Sequence, residues 1–235
     1  MIDQPDQRQN PSEHETPAEK LAPRQILQLI SVVSSSVDLD NALRNLVDSL
    51  AMVYGNNQIS LFTPRKGNAF SFFFASGNEF INLENRSIKL GEGTLGTALK
   101  NSKSILVEDY ATNKEFAPIQ AGISSELVIP ILFQSNLLAL LDMINQKPRI
   151  FSSHDQTTLE ALAASVGGVL FTLQKTQNLK ENADREDRMN DFLTELSKPG
   201  TVEESIKTAA REIAKMPEIS QVSIFINPAQ KPGSK

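Results

Sequence analysis

Few residues in this sequence have the type and spacing that catalysis needs. Gly91-Glu92-Gly93-Thr94-Leu95-Gly96 fits G-x-G-x-x-G and stands ahead of a short helical pattern. Such glycines let a pyrophosphate approach backbone N–H groups at a helix start, but only inside a parallel strand–helix–strand unit. Here the preceding strand is short and carries Arg86 and Lys89, the surrounding strands read as hairpins, and no long parallel crossover follows. The motif therefore reads as a tight turn into a helix. A kinase-type glycine loop fails as well, because no lysine strand or catalytic loop accompanies it. There is no G-x-S-x-G elbow, and the imidazoles are His14 and His154 alone. His154 lies beside Asp155 at a helix start, where polar residues serve as caps. Glu108 and Asp109 are adjacent, so in a strand they point to opposite faces and form no acid/base pair. Glu160-Ala161-Leu162 is a chance string in mid-helix. Phe72, Phe73, Phe74 and Phe116 offer aromatic surface for an apolar pocket, against the ordinary alternative that such rings fill a core.

Composition narrows the chemistry further. The chain has no Cys, which removes disulfides, thiolate metal sites and cysteine nucleophiles together. Two His are too few for most zinc, haem or proton-shuttle sites. With 28 acidic residues against 23 basic, the net charge is −5, opposite to the basic excess of a nucleic-acid surface. No apolar run approaches the roughly 20 residues that span a bilayer. The N-terminus, MIDQPDQRQNPSEHE, lacks the basic start and apolar centre of a signal peptide. These features point to a cytoplasmic protein that is not an enzyme and contacts neither nucleic acid nor membrane. At 235 residues, against about 150 for an average domain, the length suits a domain and a half.

The elements that must position any site follow from periodicity. Residues 1–22 are rich in Gln, Asn, Pro and Glu and read as a disordered polar tail. Ile26, Leu29, Ile30 and Val33 recur at helical spacing, and Ser34-Ser35-Ser36 breaks that helix. Leu39, Leu43, Leu46, Val47 and Leu50 line a second helix, with Asp38 as its N-cap. Gln58–Thr63 and Ala69–Ala75 form a β-hairpin around Arg65-Lys66-Gly67-Asn68. A strand at Arg86–Leu90 leads into the glycine turn and a short helix through Lys100. Ile105–Val107 is another strand, followed by an irregular segment to Pro118. Leu127–Phe133 and Leu137–Ile144 are nearly continuous apolar runs. They form a central hairpin covered on both faces, with Asn136 taking the positive φ of the turn and Pro130 marking a bulge or a locally unpaired N–H. Ser152 or Ser153 caps a long helix striped by Leu159, Leu162, Val166, Val169 and Leu173. Beyond residue 175 charges at i,i+4 spacing replace the stripe, so residues 176–190 read as a connecting helix.

A shift of 163 residues repeats the opening of the domain. Leu29 falls on Phe192, Val33 on Leu196, Leu43 on Ile206, Leu50 on Ile213 and Phe62 on Phe225. Residues 191–235 thus read as the start of a second copy that stops after its first strand, which makes the chain look truncated or dependent on other contacts.

The order of these pieces resembles the GAF domain, a small α+β sensor module, over roughly residues 24–175. The likeness is carried by Leu90-Gly91-Glu92-Gly93-Thr94-Leu95-Gly96-Thr97-Ala98, Ile105-Leu106-Val107-Glu108-Asp109, Ser125-Glu126-Leu127-Val128-Ile129-Pro130-Ile131 and Phe151-Ser152-Ser153-His154-Asp155. It implies an α+β, GAF/PAS-like six-stranded antiparallel sheet flanked by helices, and a domain over residues 23–175. It also implies a small-molecule pocket between the sheet and residues 93–116. Under the resemblance, Phe74, Thr94, Thr97, Asp109, Asn113, Phe116 and Ser125 are the candidate ligand-binding residues. Asp109 and Asn113 would fix polar groups, and the Phe rings would stack or exclude water.

The resemblance also sorts branches of the family. Cyclic-nucleotide-binding members carry an Asn-Lys, Phe, Asp-Glu pattern. This sequence has Asn145-Gln146, Phe151 and Asp155-Gln156, so the pattern is degenerate and its charged partners are missing. Bilin-binding and methionine-sulfoxide-reducing members need Cys, which is absent. No required cofactor or metal is implied. The expectation is a non-enzymatic sensory or regulatory module. It would act as a homodimer through the helices at Arg24–Ser34 and Ser153–Arg188, with any output domain in another chain or in a missing segment. The alternatives are a ligand-free module serving only dimerisation and a degenerate cyclic-nucleotide binder.

Overall fold

A cap sets each of the first helices. In the computed structural model, which describes residues 21–64, 70–78, 81–83, 87–197, 201–214, 221 and 223, α1 spans Pro23–Ser34. The α1 helix starts at Pro23, whose fixed φ suits a first turn and whose missing N–H costs nothing there. Helix α2 spans Leu39–Val53, and the Asn41 N–H donates to the Asp38 carboxylate at 2.8 Å, so Asp38 is the N-cap its position predicts. The remaining elements are β1 (Gln58–Pro64), β2 (Phe70–Gly77), β3 (Ser87–Ile88), α3 (Gly93–Asn101), β4 (Ile105–Val107), β5 (Ser125–Phe133), β6 (Asn136–Asn145), α4 (Ser153–Leu196) and α5 (Val202–Ala214). Residues 1–20 of the expected polar tail lie outside the described residues, whereas Leu21 is buried in the core.

The six strands form an antiparallel sheet in the order β3-β2-β1-β6-β5-β4, which is the α+β architecture expected. Its central strands β6 and β5 are covered on both faces. On one side Leu127, Ile129, Leu141 and Met143 pack with Leu43, Leu46 and Leu50 of α2 and with Leu159, Leu162 and Val166 of α4. On the other, Val128, Leu140 and Ile144 pack with Leu95 and Ala98 of α3 and with Val107, Tyr110 and Ile123. Each apolar side chain taken fully out of water contributes about 1.5–3 kcal/mol, so the stripes decide which helix face turns inward.

Several local expectations are corrected. The central turn closes on Gln134 and Ser135, with φ of 47° and 67°, and not on Asn136. Phe133 pairs directly with Asn136, which leaves two loop residues, and a two-residue turn of this hand needs positive φ at both. The Asn136 side chain instead donates to the Phe133 carbonyl at 3.2 Å. Pro130 sits in regular register opposite Leu140, and the irregularity falls one residue later, between Ile131 and Leu132. Of the strand expected at Arg86–Leu90, only Ser87–Ile88 is strand among the described residues; Arg86 and Arg65–Asn68 lie outside them.

Helix α4 begins with a reciprocal cap. The Asp155 carboxylate accepts from the Ser152 N–H at 2.9 Å and from its hydroxyl at 2.7 Å, while Ser152 Oγ accepts from the Asp155 N–H at 3.2 Å. Further along, α4 lies directly against β5. A Cβ on Gly167 would stand 2.4 Å from the Leu132 carbonyl oxygen, a distance no side chain can occupy.

The chain parts into two compact units at Lys175/Thr176. In the second, α5 opens on a capping box: the Thr201 N–H donates to the Glu204 carboxylate at 2.8 Å, and the Glu204 N–H donates to Thr201 Oγ1 at 3.3 Å. Helix α5 starts 163 residues after α2, which is the offset of the internal repeat. The strand expected at 222–225 lies outside the described residues apart from Ser223. Among the described residues no helix is long and apolar enough to cross a membrane.

Candidate functional site

The glycine turn serves its own backbone. The Gly91 N–H donates to the Gly96 carbonyl at 2.7 Å, and a Cβ on Gly96 would lie 2.1 Å from the Lys89 carbonyl oxygen. The turn delivers the first residues of α3 to one wall of a cleft of about 400 Å³, lined by Ile88, Lys89, Glu92, Thr94, Ala117 and Ile119 among others.

Thr94 links that cleft to a buried polar cluster. Its hydroxyl donates to one oxygen of Glu126 at 2.7 Å, and the Tyr110 hydroxyl donates to the other. Glu126 lies opposite Ile144, and Asp142 stands two residues back on that strand, so the two acids are diagonal neighbours on one face of the sheet. Asp142 stands close enough to Glu126 to act on its ionisation. Ser60 lies directly across from Asp142 on β1, fully buried, with no hydrogen-bond partner for its hydroxyl.

The electrostatics follow from position. Glu126 is 1 % exposed and Asp142 fully buried. Burial holds the Glu126 carboxyl above the usual carboxylate range, while the hydrogen bonds from Thr94, Tyr110 and Asp142 pull the other way. Burial, and then the charge of Glu126, push the Tyr110 phenol far above its ordinary value, so it stays a donor. The arrangement places carboxyl oxygens and two hydroxyl donors together out of water. Among the described residues no group of His, Cys, Asp and Glu has the number and placement to hold a metal ion.

The residues expected at the pocket do not all gather here. Thr94 is in the cluster, and Thr97 is half-buried on α3. Asp109 accepts from the Ala111 N–H at 2.9 Å, and Asn113 accepts from the Glu115 and Phe116 N–H groups at 2.9 and 2.7 Å, so both fold their own loop. Phe116 packs against the core on the Tyr110 side. Ser125 is buried at the start of β5 and donates to the Lys147 carbonyl at 2.7 Å. Phe74 lies across the sheet from Thr94, beneath the Arg44 guanidinium, and takes no part in the cleft. Glu126, Asp142, Tyr110 and Ser60 were not anticipated. The available signal was a lone acid in each of two otherwise apolar strands, placed on one face.

The degenerate Asn145, Phe151, Asp155 pattern is built into a separate region. Asn145 donates to the Asn56 carbonyl at 2.6 Å and to Asn57 at 2.8 Å, Phe151 is buried in the core, and Asp155 accepts from the Tyr54 hydroxyl at 3.0 Å.

Solved structures share this fold. The chain is similar to the free methionine-R-sulfoxide reductase of Neisseria meningitidis in complex with its substrate, with 18% identity and a TM-score of 0.57 over 64% of this chain and 89% of that one. It is similar to the GAF domain of the Acinetobacter phosphoenolpyruvate-protein phosphotransferase, with 20% identity and a TM-score of 0.56 over 65% and 93%. It is also similar to the Staphylococcus aureus reductase fRMsr, complexed with its substrate, at 21% identity and a TM-score of 0.54 over 63% and 94%. No curated protein sequence matches the chain. The two reductases overturn the expectation that this chain is not an enzyme: they are enzymes on the same fold, so the architecture gives no ground for excluding catalysis. A family match covers residues 38–170, more than half of the sequence, and the chain belongs to the GAF domain family.

Proposed function

We propose that this GAF domain protein is a sensory or regulatory module that takes a small molecule in the cleft between the sheet and the 93–119 segment. The observation that carries this reading is the Glu126–Asp142 pair, held under Thr94 with a third polar group, Ser60, left without a partner. Burying two acids costs several kcal/mol, and no such cost is needed for a core that apolar residues would fill better. Thr94, on the cleft wall, stands between that pair and the cleft, so a ligand that engages Thr94 reaches the acids through it. Structures of the same fold have been solved with a substrate bound, which supports the fold as a host for small molecules.

Native mass spectrometry of the freshly purified chain tests this reading. A co-purified small molecule that is lost in Glu126→Ala supports it. No bound mass, together with no thermal shift from a panel of small polar metabolites, refutes it.

Self-association is part of the same proposal. Leu27 and Val32 on α1, and Leu179, Met189 and Leu193 on α4, are exposed apolar side chains on the two helices that a dimer would pair. Light scattering on the full chain that returns a monomer mass at all concentrations would remove it.

A further inference from the structure

The loop between β6 and α4 is held at three backbone points and leaves its charged side chains exposed. The Lys147 N–H donates to the Asn145 side chain at 2.8 Å, and the Lys147 carbonyl accepts from Ser125 Oγ at 2.7 Å. The Arg149 N–H donates to the Glu108 carbonyl at 2.6 Å. Gln146, Lys147 and Arg149 of this loop line a cleft of about 730 Å³ together with Asn56 and Asn78. It shares no described lining residue with the cleft beside Thr94. Arg149 has a φ of 57°, a left-handed conformation that glycine adopts freely and other residues only at a cost. A guanidinium is thus kept where the backbone favours Gly. Both cations are exposed, and among the described residues neither forms an ion pair, with Glu108 or any other acid. The acid among the described lining residues, Asp155, is 5 % exposed and already accepts from Tyr54 and twice from Ser152. In a chain of net charge −5, this cleft presents two cations and three exposed carboxamides.

We propose that this cleft is a second ligand site, which takes a small oxyanion, phosphate or carboxylate, carried on a polar molecule. The Arg149 guanidinium offers paired N–H donors that match two oxygens of either group, and the Lys147 ammonium adds a point charge. The carboxamides of Asn56, Asn78 and Gln146, each both donor and acceptor, suit the polar remainder of such a molecule. The volume falls within the roughly 300–1,000 Å³ of small-molecule sites. A loop already fixed at three points loses little freedom on binding, so its donors are set in advance. Ser125 acts here as a positioning residue, since its hydroxyl holds the carbonyl between the two cations.

Proton–nitrogen correlation spectra of the full chain, titrated at constant ionic strength with pyrophosphate and separately with citrate, test the site. Saturable shifts at the amides of residues 55–57, 78 and 145–152 are expected, and the anion that saturates them at lower concentration identifies the group. Arg149→Gly removes the guanidinium and relieves the backbone, so affinity falls by about tenfold or more while the thermal midpoint does not drop. Arg149→Gln, which keeps the β-carbon should the glycine variant loosen the loop, gives the same loss of affinity. Thr94→Val, at the other cleft, leaves the titration unchanged, which separates this site from the proposed function. No saturable shift from either anion overturns the proposal. So does saturation that both Arg149 variants leave intact, or that Thr94→Val abolishes.

Discussion

The Tyr54 hydroxyl donates to Asp155 at 3.0 Å, joining the end of α2 to the first turn of α4 across 101 residues of sequence. Both side chains are buried, and burial raises the Tyr54 phenol far above its ordinary range, with Asp155 adding to the shift. The donor therefore persists at every working pH. Tyr54→Phe leaves a buried carboxylate one bond short and costs about 1–3 kcal/mol by urea denaturation. An unchanged midpoint would show that this bond does not help to hold α2 to α4.

The buried acid shapes stability against pH. The folded protein keeps a proton on Glu126 that the unfolded chain gives up above about pH 4.3. Stability therefore falls as pH rises from that value, by up to about 1.4 kcal/mol per pH unit, until the folded group itself ionises. Glu126→Gln has nothing to titrate there, so its profile is the flatter of the two. Denaturation curves for both proteins between pH 4.5 and 8 read the difference directly.

Gly96 has no room for a methyl group, because the Lys89 carbonyl oxygen occupies its place. Gly96→Ala forces the turn away from α3 and costs about 1–3 kcal/mol. The expected result is a lower thermal midpoint with the second unit unaffected.

Arg44 lies 4.5 Å from the centroid of Phe74. A double-mutant cycle of Arg44→Ala and Phe74→Ala should return a coupling of about 0.5–1 kcal/mol. A ligand shift at the cleft that disappears in Phe74→Ala would contradict its placement on the far face.

The central turn pays for left-handed backbone at two side-chain-bearing residues. Replacing Gln134-Ser135 by Asn-Gly should raise stability by about 1 kcal/mol, since these types accept that conformation more readily. A loss of stability would mean that Asn136 closes the turn instead.

Much of the fold was legible because the helix stripes are long and regular. Leu43, Leu46, Val47 and Leu50 are buried as their spacing requires, and two continuous apolar runs meant strands covered on both sides. The site was less legible, for identifiable reasons. Phe72 and Phe74, two apart, should share a face. A bulge opposite Leu61 and Phe62 breaks the alternation, so Phe72 follows Phe62 to one core and Phe74 follows Leu61 to the other. Asp109 and Asn113 are residue types that serve turns as readily as ligands, and spacing does not separate those uses. Glu126 sits one residue before the apolar run that marked β5, and Asp142 lies inside its partner. Their meeting depends on cross-strand register, which one-dimensional periodicity does not contain.

Where Gly167 rests on the Leu132 carbonyl, no side chain stands between α4 and β5. Packed side chains act as springs that take up small movements by changing rotamer, and this contact has none. Strand β5 carries Glu126 on its opposite face, six residues back along the chain from that contact. A joint without padding is rigid: a displacement of the strand becomes a displacement of the helix, with little lost between them.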